Sequence, residues 1–312
     1  MEKFLVTGGA GFIGSHICRK LVSLGCFVRV LDNLLTGKKS NLAGVIEKIE
    51  FIEADMGDPQ VARSAMKDID VVLHEGALPS VPRSVDDPAA AHRHCVDATF
   101  TLLLAARDAG VKRFIYAASS SAYGDTSTSP KVETMPPSPL SPYAVGKLVG
   151  EYYCSVFSSV FGLETISLRY FNVFGPYQDP ASQYAAAIPA FVTAMLKDKS
   201  PTVYGDGEQS RDFTYVDNVV EANLLAARAK RTNGQVINIA CGQAVTVNAI
   251  IDMINDLLGK SVRPTYVAAR PGDVKHSLAD ITLARKLIGF KPTVQFREGL
   301  EKAIEWYRNN LL

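Results

Sequence analysis

Short apolar segments alternate with amphipathic segments along the first 170 residues of the chain. Apolar runs of the strand type lie at 3–7, 27–32, 49–53, 70–74, 112–119 and 163–170. Helical patterns separate them at 12–24 and near 59–66, 89–109 and 142–161. Strands of the buried type that alternate with helices predict an α/β fold, a Rossmann-type, doubly wound parallel sheet.

After Tyr170 the pattern breaks into shorter pieces, with turns at Gly175-Pro176 and Gly205-Asp206-Gly207 and a closing amphipathic helix near 297–310. We expect a first domain over 1–170, to which segments near 211–239 return. A smaller α/β domain over 171–312 is interleaved with it. The irregular segment 125–142 contains five prolines. Because it exceeds the usual connection length, we expect it to border a functional cleft.

Composition narrows the possible partners. Among 312 residues, 33 are basic and 32 acidic, and no basic stripe could neutralise a series of nucleic-acid phosphates. We expect no nucleic-acid partner. The chain enters its first strand directly and no apolar stretch reaches about 18 residues, so we expect neither a signal peptide nor a membrane span, and a cytoplasmic location.

The cysteines and histidines point away from disulfides and metals. Five cysteines are scattered without a CxxC pair. His92 and His94 are two residues apart, a spacing at which side chains diverge on a helix. We therefore expect no metal site and reduced cysteines.

A glycine-rich turn lies between the first predicted strand and the first predicted helix. Gly8, Gly9, Gly11 and Gly14 satisfy both GxGxxG and GxxGxxG. Glycines permit the tight turn and the close approach of a pyrophosphate to the helix N-terminus. Asp32 ends the second strand 18 residues later. Its carboxylate can bind ribose hydroxyls but would repel a 2′-phosphate, so the motif predicts NAD rather than NADP.

A second motif carries candidate chemistry. Tyr143 and Lys147 are one helical turn apart, 24 residues after Ser119, which ends the fifth predicted strand. An ammonium close to a phenol lowers its pKa, so we expect Tyr143 to act as a general base. Because ligands bind at the carboxyl ends of parallel strands, we expect Ser119 to face the same cleft.

Longer segments resemble a known family. They are Ser80-Val81-Pro82-Arg83-Ser84, YAASSSAYGD (116–125), LSPYAVGK (140–147), LRYFNVFGPYQDP (168–180), YGDGEQSRDFTYVDN (204–218) and RPGDVKHSLAD (270–280). From Phe4 to about Tyr307 the chain resembles the extended short-chain dehydrogenase/reductase superfamily. Within it, the chain is most similar to the bacterial UDP-N-acetylglucosamine 4-epimerase group, which is related to UDP-glucose 4-epimerase.

The resemblance implies roles for individual residues. The implied catalytic residues are Tyr143, Lys147, Ser119 and Ser120. NAD would contact Gly8, Gly11, Phe12, Ile13, Gly14, Asp32, Asn33, Thr36, Gly37, Asp55, Met56, Ala77, Tyr143, Lys147 and Tyr170. A UDP-sugar would contact Ser80, Ser121, Asn172, Ala187, Tyr204, Arg211, Arg270, Asp273 and Ser277. Asn172 and Arg211 would hold the diphosphate, Tyr204 the uracil, and Arg270 and Asp273 a phosphate and a ribose.

The reaction implied is 4-epimerisation of a UDP-hexose. The 4-OH loses its proton to Tyr143, the C4 hydride passes to NAD, and the keto sugar turns over before the hydride returns to its other face. Dehydratases and decarboxylases of the superfamily use acidic residues that Ser120-Ser121-Ala122 does not offer. UDP-glucuronate 4-epimerase and a non-catalytic NAD or nucleotide-sugar sensor are the remaining alternatives.

Three positions qualify this interpretation. Relatives usually have a small residue pair where this chain has Glu75-Gly76, and asparagine where it has Cys95. Ser277 occupies a position where a small residue accompanies N-acetylated substrates, which predicts activity on UDP-N-acetylglucosamine and UDP-N-acetylgalactosamine as well as on UDP-glucose and UDP-galactose.

The predicted helix 142–161 has an apolar surface wider than one sheet contact needs. We expect a homodimer in which this helix and the helix near 89–109 pair into a four-helix interface, as the family resemblance implies.

Overall fold

The computed structural model describes residues 1–180, 186–269 and 275–311. Its strands, in chain order, are β1 (Lys3–Thr7), β2 (Phe27–Asp32), β3 (Glu50–Glu53), β4 (Val71–His74), β5 (Arg113–Ser119), β6 (Glu164–Tyr170), β7 (Val173–Phe174), β8 (Thr202–Tyr204), β9 (Ser210–Asp212), β10 (Thr214–Tyr215), β11 (Gln235–Ile239), β12 (Ala244–Thr246), β13 (Thr265–Val267) and β14 (His276–Ser277). The six strands predicted over the first 170 residues are all present, each within one residue of its expected start.

Seven of these strands form one parallel sheet in the order β11-β6-β5-β4-β1-β2-β3. The central strands β1, β4, β5 and β6 are buried on both faces, as the absence of an alternating pattern predicts, whereas the edge strand β3 is partly exposed. From β1 the chain adds β2 and β3 on one side, and it then returns to add β4, β5, β6 and β11 on the other side, so the strand order reverses between β1 and β4. Loops at the carboxyl ends of these two strands therefore enclose a crevice, the usual ligand position in open α/β sheets.

Helices cover both faces of the sheet, and further helices pack in a core beyond it. They are α1 (Phe12–Ser23), α2 (Pro59–Ala65), α3 (Val81–Asp86), α4 (Pro88–His92), α5 (Ala98–Asp108), α6 (Pro142–Phe161), α7 (Ala187–Leu196), α8 (Val216–Ala227), α9 (Val247–Leu258), α10 (Thr282–Ile288) and α11 (Phe296–Leu311). The prediction of one uninterrupted helix near 89–109 is wrong in one respect. A π-helical turn over Arg93–Asp97 separates α4 from α5.

Apolar side chains form a core on each face of the sheet and a further core beyond it. Ile17 of α1 and Val219 of α8 pack on one face, whereas Leu102 of α5 and Phe157 of α6 pack on the other. The further core contains Phe174 of β7 together with side chains of β10, α7, α9 and α11. The assignment of 171–312 as a separate substrate domain stays a prediction.

Serine and proline at the start of α6 explain how the catalytic motif is positioned. Ser141 caps the helix, its hydroxyl accepting a hydrogen bond from the amide of Ala144 at 3.2 Å, and Pro142 occupies the first turn, where it loses no hydrogen bond. Tyr143 is thereby fixed at the first turn of a 20-residue helix that packs on β5 and β6. Among the described residues no helix has the length and apolarity that crossing a membrane requires.

Candidate active site

The glycine turn between β1 and α1 requires glycine at two of its positions. Gly8 has a φ of +67°, which favours glycine, and its amide donates to the carbonyl of Leu31 at 2.9 Å. A Cβ on Gly14 would lie 2.3 Å from the carbonyl oxygen of Gly8. The turn therefore brings bare backbone to the N-terminus of α1, an arrangement that suits a pyrophosphate.

Asp32 lies at the carboxyl end of β2, beside this turn. One carboxylate oxygen accepts the amide of Ala10 at 2.9 Å and the other that of Leu34 at 2.8 Å. Burial raises the pKa of Asp32, and the two amides oppose that effect. The carboxylate is thus fixed at the edge of the crevice where an adenosine ribose would lie, which fits NAD.

A cleft of about 900 Å³ follows the carboxyl ends of the strands. Most of the predicted cofactor residues line it: Gly8, Gly11, Phe12, Ile13, Gly14, Asp32, Asn33, Thr36, Met56, Ala77, Tyr143, Lys147 and Tyr170. Gly37 lies behind Asp32, where a Cβ would come within 3.0 Å of its carboxylate. Asp55 is exposed and accepts the amide of Gly57 at 2.8 Å.

Some lining residues were not predicted. Lys38 follows β2, and its ammonium lies 2.7 Å from the carboxylate of Asp179, which comes from the later part of the chain. Tyr177 and Trp306 also line the cleft, their rings 5.0 Å apart. Tyr177 falls in a segment that carries the family resemblance, but Trp306 reaches the cleft through α11, and no local pattern indicates this.

The predicted catalytic side chains meet at the opposite end of the cleft from Asp32. Tyr143 is hydrogen-bonded to Ser119, and the hydroxyl of Ser121 donates to that of Ser119 at 2.9 Å. The ammonium of Lys147 donates to the carbonyl of Ala117 at 2.8 Å and lies 6.0 Å from the centre of the Tyr143 ring. Ser120 begins the short 3₁₀ turn that follows β5.

The pKa of Tyr143 is raised and not lowered, contrary to the sequence-based prediction. Burial raises the pKa of Tyr143 well above its ordinary value, and the hydrogen bond with Ser119 only partly opposes this. Burial also lowers the pKa of Lys147. Since the ammonium points to Ala117 and not to the phenol, Lys147 alone does not supply the lowering that we predicted. A further positive charge at this end of the cleft would favour the phenolate.

The two departures from the family pattern lie close to this group. Glu75 follows β4 directly, lines the cleft and accepts the hydroxyl of Tyr170 at 2.7 Å. Cys95 is buried in the π-helical turn, and a Cβ on Gly146 of α6 would lie 2.9 Å from its Cβ. Glu75 and Cys95 therefore both lie close to the Tyr143–Lys147 pair.

The predicted substrate residues extend from the cleft into the later part of the chain. Ser277 on β14 pairs in register with Arg211 on β9. Asn172 follows β6 with a φ of 37°, and its amide nitrogen donates to the carbonyl of Asp212 at 2.9 Å.

The other predicted substrate residues are more dispersed. Ser80 lines the cleft and caps α3, Tyr204 ends β8 and Ala187 begins α7. Arg270 and Asp273 lie outside the described residues.

The irregular segment 125–142 contributes no residue to the cleft lining and instead contacts the chain near the predicted substrate residue Ser277. The amide of Lys131 donates to the carbonyl of Leu278 at 2.7 Å, and the amide of Asp280 donates back to the carbonyl of Lys131 at 2.9 Å. The segment therefore braces the chain immediately after Ser277. In the described ranges no three histidine, cysteine, aspartate or glutamate side chains are grouped as metal ligands.

Comparisons with known proteins agree with this geometry. The model of the NAD dependent epimerase/dehydratase family matches residues 4–240. A putative UDP-glucose 4-epimerase of Methanocaldococcus jannaschii is 39% identical over 308 residues, which cover 98% of each chain.

Two solved structures are similar over nearly their whole length. One is a UDP-N-acetylglucosamine 4-epimerase from Methanobrevibacter ruminantium, in complex with UDP-N-acetylmuramic acid, with a TM-score of 0.95, 41% identity, and coverage of 99% of this chain and 98% of that one. The other is a UDP-glucuronic acid 4-epimerase from Bacillus cereus, with a TM-score of 0.91, 34% identity, and coverage of 98% and 99%.

Proposed function

Because the chain belongs to the NAD-dependent epimerase/dehydratase family, we propose that it is a UDP-hexose 4-epimerase that interconverts UDP-N-acetylglucosamine with UDP-N-acetylgalactosamine, and UDP-glucose with UDP-galactose. The observation that carries this proposal is the Ser119–Tyr143–Lys147 group, with Lys147 buried and the other two half-buried, at one end of a cleft whose other end fits the adenosine half of a dinucleotide. A 4-epimerase needs no more than a base, a hydrogen-bond donor to the sugar oxygen and a bound redox cofactor.

NAD, when bound, supplies a reversible hydride acceptor and a positive charge at this end of the cleft. The chain's own residues manage the proton. Tyr143 takes the proton of the sugar 4-OH and later returns it, while Ser119 hydrogen-bonds the same oxygen. Ser119 and Tyr143 are half-buried, and a bound cofactor and sugar would exclude the remaining water from them, so that Tyr143 holds the proton between the two half-reactions.

The substrate residues would hold the diphosphate firmly and the sugar loosely, so that the sugar can turn over while the diphosphate stays bound. Arg211 and Asn172 are assigned to the diphosphate, because a guanidinium gives charge-assisted hydrogen bonds to phosphate oxygens. Ser277 lies beside Arg211 in the strand pairing. A serine there leaves space through which a 2-acetamido group can sweep when the sugar turns over, whereas a phenol ring would fill that space.

Replacing Ser277 with tyrosine tests the choice of substrate. Ser277→Tyr should abolish turnover of the N-acetylated pair and spare UDP-glucose, because overpacking costs about 1–3 kcal/mol or more only for the larger sugar. Ser277→Ala is the matched control and should retain both activities. Turnover of each UDP-sugar is measured by NMR, with UDP-glucuronate as a further substrate. Equal losses on both pairs, or wild-type activity confined to UDP-glucuronate, would defeat the assignment.

We also propose that two copies associate through α6. Val145, Tyr152, Val156 and Val160 are exposed along one face of this helix, with exposed fractions of 46%, 57%, 47% and 66%. Phe100 of the neighbouring α5 extends the same surface and is 37% exposed. The same face on a second copy is a suitable partner, since two-fold association makes a surface complementary to itself.

A further inference from the structure

The order of strands in the sheet locates the second half of a bound dinucleotide. Asp32 ends β2, the glycine turn follows β1, Glu75 follows β4, and Ser119 ends β5, and these four strands are neighbours in that order. A dinucleotide with its adenosine at Asp32 and its pyrophosphate at the glycine turn must extend its nicotinamide half across the ends of β4 and β5. Glu75 is the first residue after β4 and lines the cleft there.

The carboxyl of Glu75 is held in position by a directed chain of hydrogen bonds. The side-chain nitrogen of Asn223, on α8, donates to the hydroxyl oxygen of Tyr170 at 2.8 Å. That hydroxyl in turn donates its proton to Glu75 at 2.7 Å. Tyr170 is buried and Asn223 is fully buried, so neither partner can swing away. The carboxyl is therefore a fixed element of the cleft and not a solvated surface group.

The surroundings leave Glu75 close to the balance between its neutral and ionised forms. The titratable side chains that face it are Cys18 on α1, Tyr143 and Lys147 on α6, and Tyr170 on β6, while His74 precedes it on β4. Burial raises the pKa of Glu75 to about 7, and the hydrogen bond from Tyr170 and the charge of Lys147 only partly oppose this. A small change in nearby charge therefore decides whether the carboxyl carries a proton near neutral pH.

We propose that Glu75 is a charge-balancing residue of the cofactor site: its carboxyl releases a proton to solvent when NAD⁺ brings a pyridinium cation to this end of the cleft, and takes one up from solvent when the uncharged dihydronicotinamide ring of NADH is bound there. The proposal rests on the proposed function only for the identity of the cofactor. It explains why a glutamate can stand where relatives usually have a small residue, because an ionised carboxyl stabilises the oxidised cofactor that the first half-reaction requires.

The sign of the effect follows from the charge. A cation close to a carboxyl favours its ionised form and lowers its pKa, typically by about 1–3 units at contact distances. With NAD⁺ bound, the pKa of Glu75 should fall well below 7. With NADH bound, no cation is present in the ring and the pKa should stay near or above 7. Each unit of difference corresponds to about tenfold in relative affinity for the two forms.

A titration of the full-length protein with ¹³C-labelled glutamate carboxyls measures this difference. The Glu75 resonance is identified by its loss in Glu75→Gln and is followed by NMR in protein loaded with NAD⁺ and again after borohydride has reduced the bound cofactor. We expect its pKa to be lower by one unit or more in the NAD⁺ form. An identical pKa in the two forms would overturn the proposal.

Two comparisons keep the test independent of folding and of turnover. Tyr170→Phe removes the donor and should raise the pKa of Glu75 in both forms, which identifies the same resonance should Glu75→Gln fail to fold. Glu133, a half-buried carboxyl that accepts the amide of Asn238 outside the cleft, is the matched internal control and should titrate identically in both forms. Because no sugar is added, the result does not depend on the epimerase proposal.

Discussion

At the scale of single residues, the account depends most on the hydroxyl of Tyr143. The side chain is half-buried in the cleft, hydrogen-bonded to Ser119 and one helical turn from Lys147. Tyr143→Phe removes the proton acceptor with almost no change in volume. We expect turnover to fall roughly 10²-fold or more while UDP-sugar binding is largely kept. Initial rates and the dissociation constant for UDP, measured on the same preparation, separate these two effects.

Tyr152→Phe is the control for that substitution. Tyr152 lies on the same helix, on the proposed association face and not in the cleft lining, so the identical chemical change should leave turnover unaltered. Near-normal turnover in Tyr143→Phe would mean that a different group takes the proton. An equal loss in both variants would point to damage to α6 and not to lost chemistry.

The sequence identifies some of these residues and not others. The glycine turn, Asp32 and the Tyr143–Lys147 pair are recognisable because each depends on spacing within one element or one turn. The hydrogen bond between Glu75 and Tyr170 joins residues 95 positions apart, on strands that the sequence does not show to be close. The raised pKa of Tyr143 was likewise missed, because burial and the direction of the Lys147 ammonium are properties of the packed structure.

At the scale of elements, α6 is anchored to the sheet by a buried ion pair. The guanidinium of Arg169 on β6 makes two hydrogen bonds, at 2.8 and 2.7 Å, to the carboxylate of Glu151 on α6. Both side chains are almost fully buried, with exposed fractions of 5% and 2%. These two hydrogen bonds hold α6, which carries Tyr143, against β6, which leads to Asn172.

Removing one partner of this pair should be costly. Glu151→Ala leaves the guanidinium buried without its counter-charge, so we expect the free energy of unfolding to fall by about 3–5 kcal/mol. Glu298→Ala, which breaks the exposed pair with Lys302 on α11, should cost about 0.3–0.5 kcal/mol. Urea denaturation of both variants measures the difference. Similar losses in the two variants would refute the anchoring role of Glu151.

Long elements were easier to predict than short ones. The six strands and the helix over 142–161 combine apolar patterns with clear start signals such as Ser141-Pro142. The π-helical turn at Arg93–Asp97 leaves no mark on the apolar pattern, because one extra residue in a turn does not change which side chains are apolar. Strands of two or three residues, such as β9 and β14, form through pairing between distant segments and carry too few residues for a period to be visible.

At the scale of the whole molecule, the exposed apolar face of α6 is the main surface feature. Val156→Glu would bury two charges in the proposed two-fold interface, in which the same face of each copy is in contact. We expect the wild-type protein to have twice the chain mass by light scattering at micromolar concentration, and Val156→Glu to be monomeric.

The matched control for that variant is Leu287→Glu. Leu287 is a 38% exposed apolar residue on α10, which packs on the opposite face of the sheet from α6, and its substitution should leave the dimer intact. A monomeric wild-type protein would contradict the association through α6. Dissociation of both variants would show that added charge, and not its position, is responsible.

The fate of the hydrogen at C4 tests the central claim most directly. The protein, without added cofactor, is incubated with UDP-N-acetylglucosamine in D₂O, and the products are identified by NMR. Removal and return of the same hydrogen by a bound cofactor predicts UDP-N-acetylgalactosamine that retains protium at C4. Failure to form this epimer, or formation of it with deuterium at C4, would contradict the account.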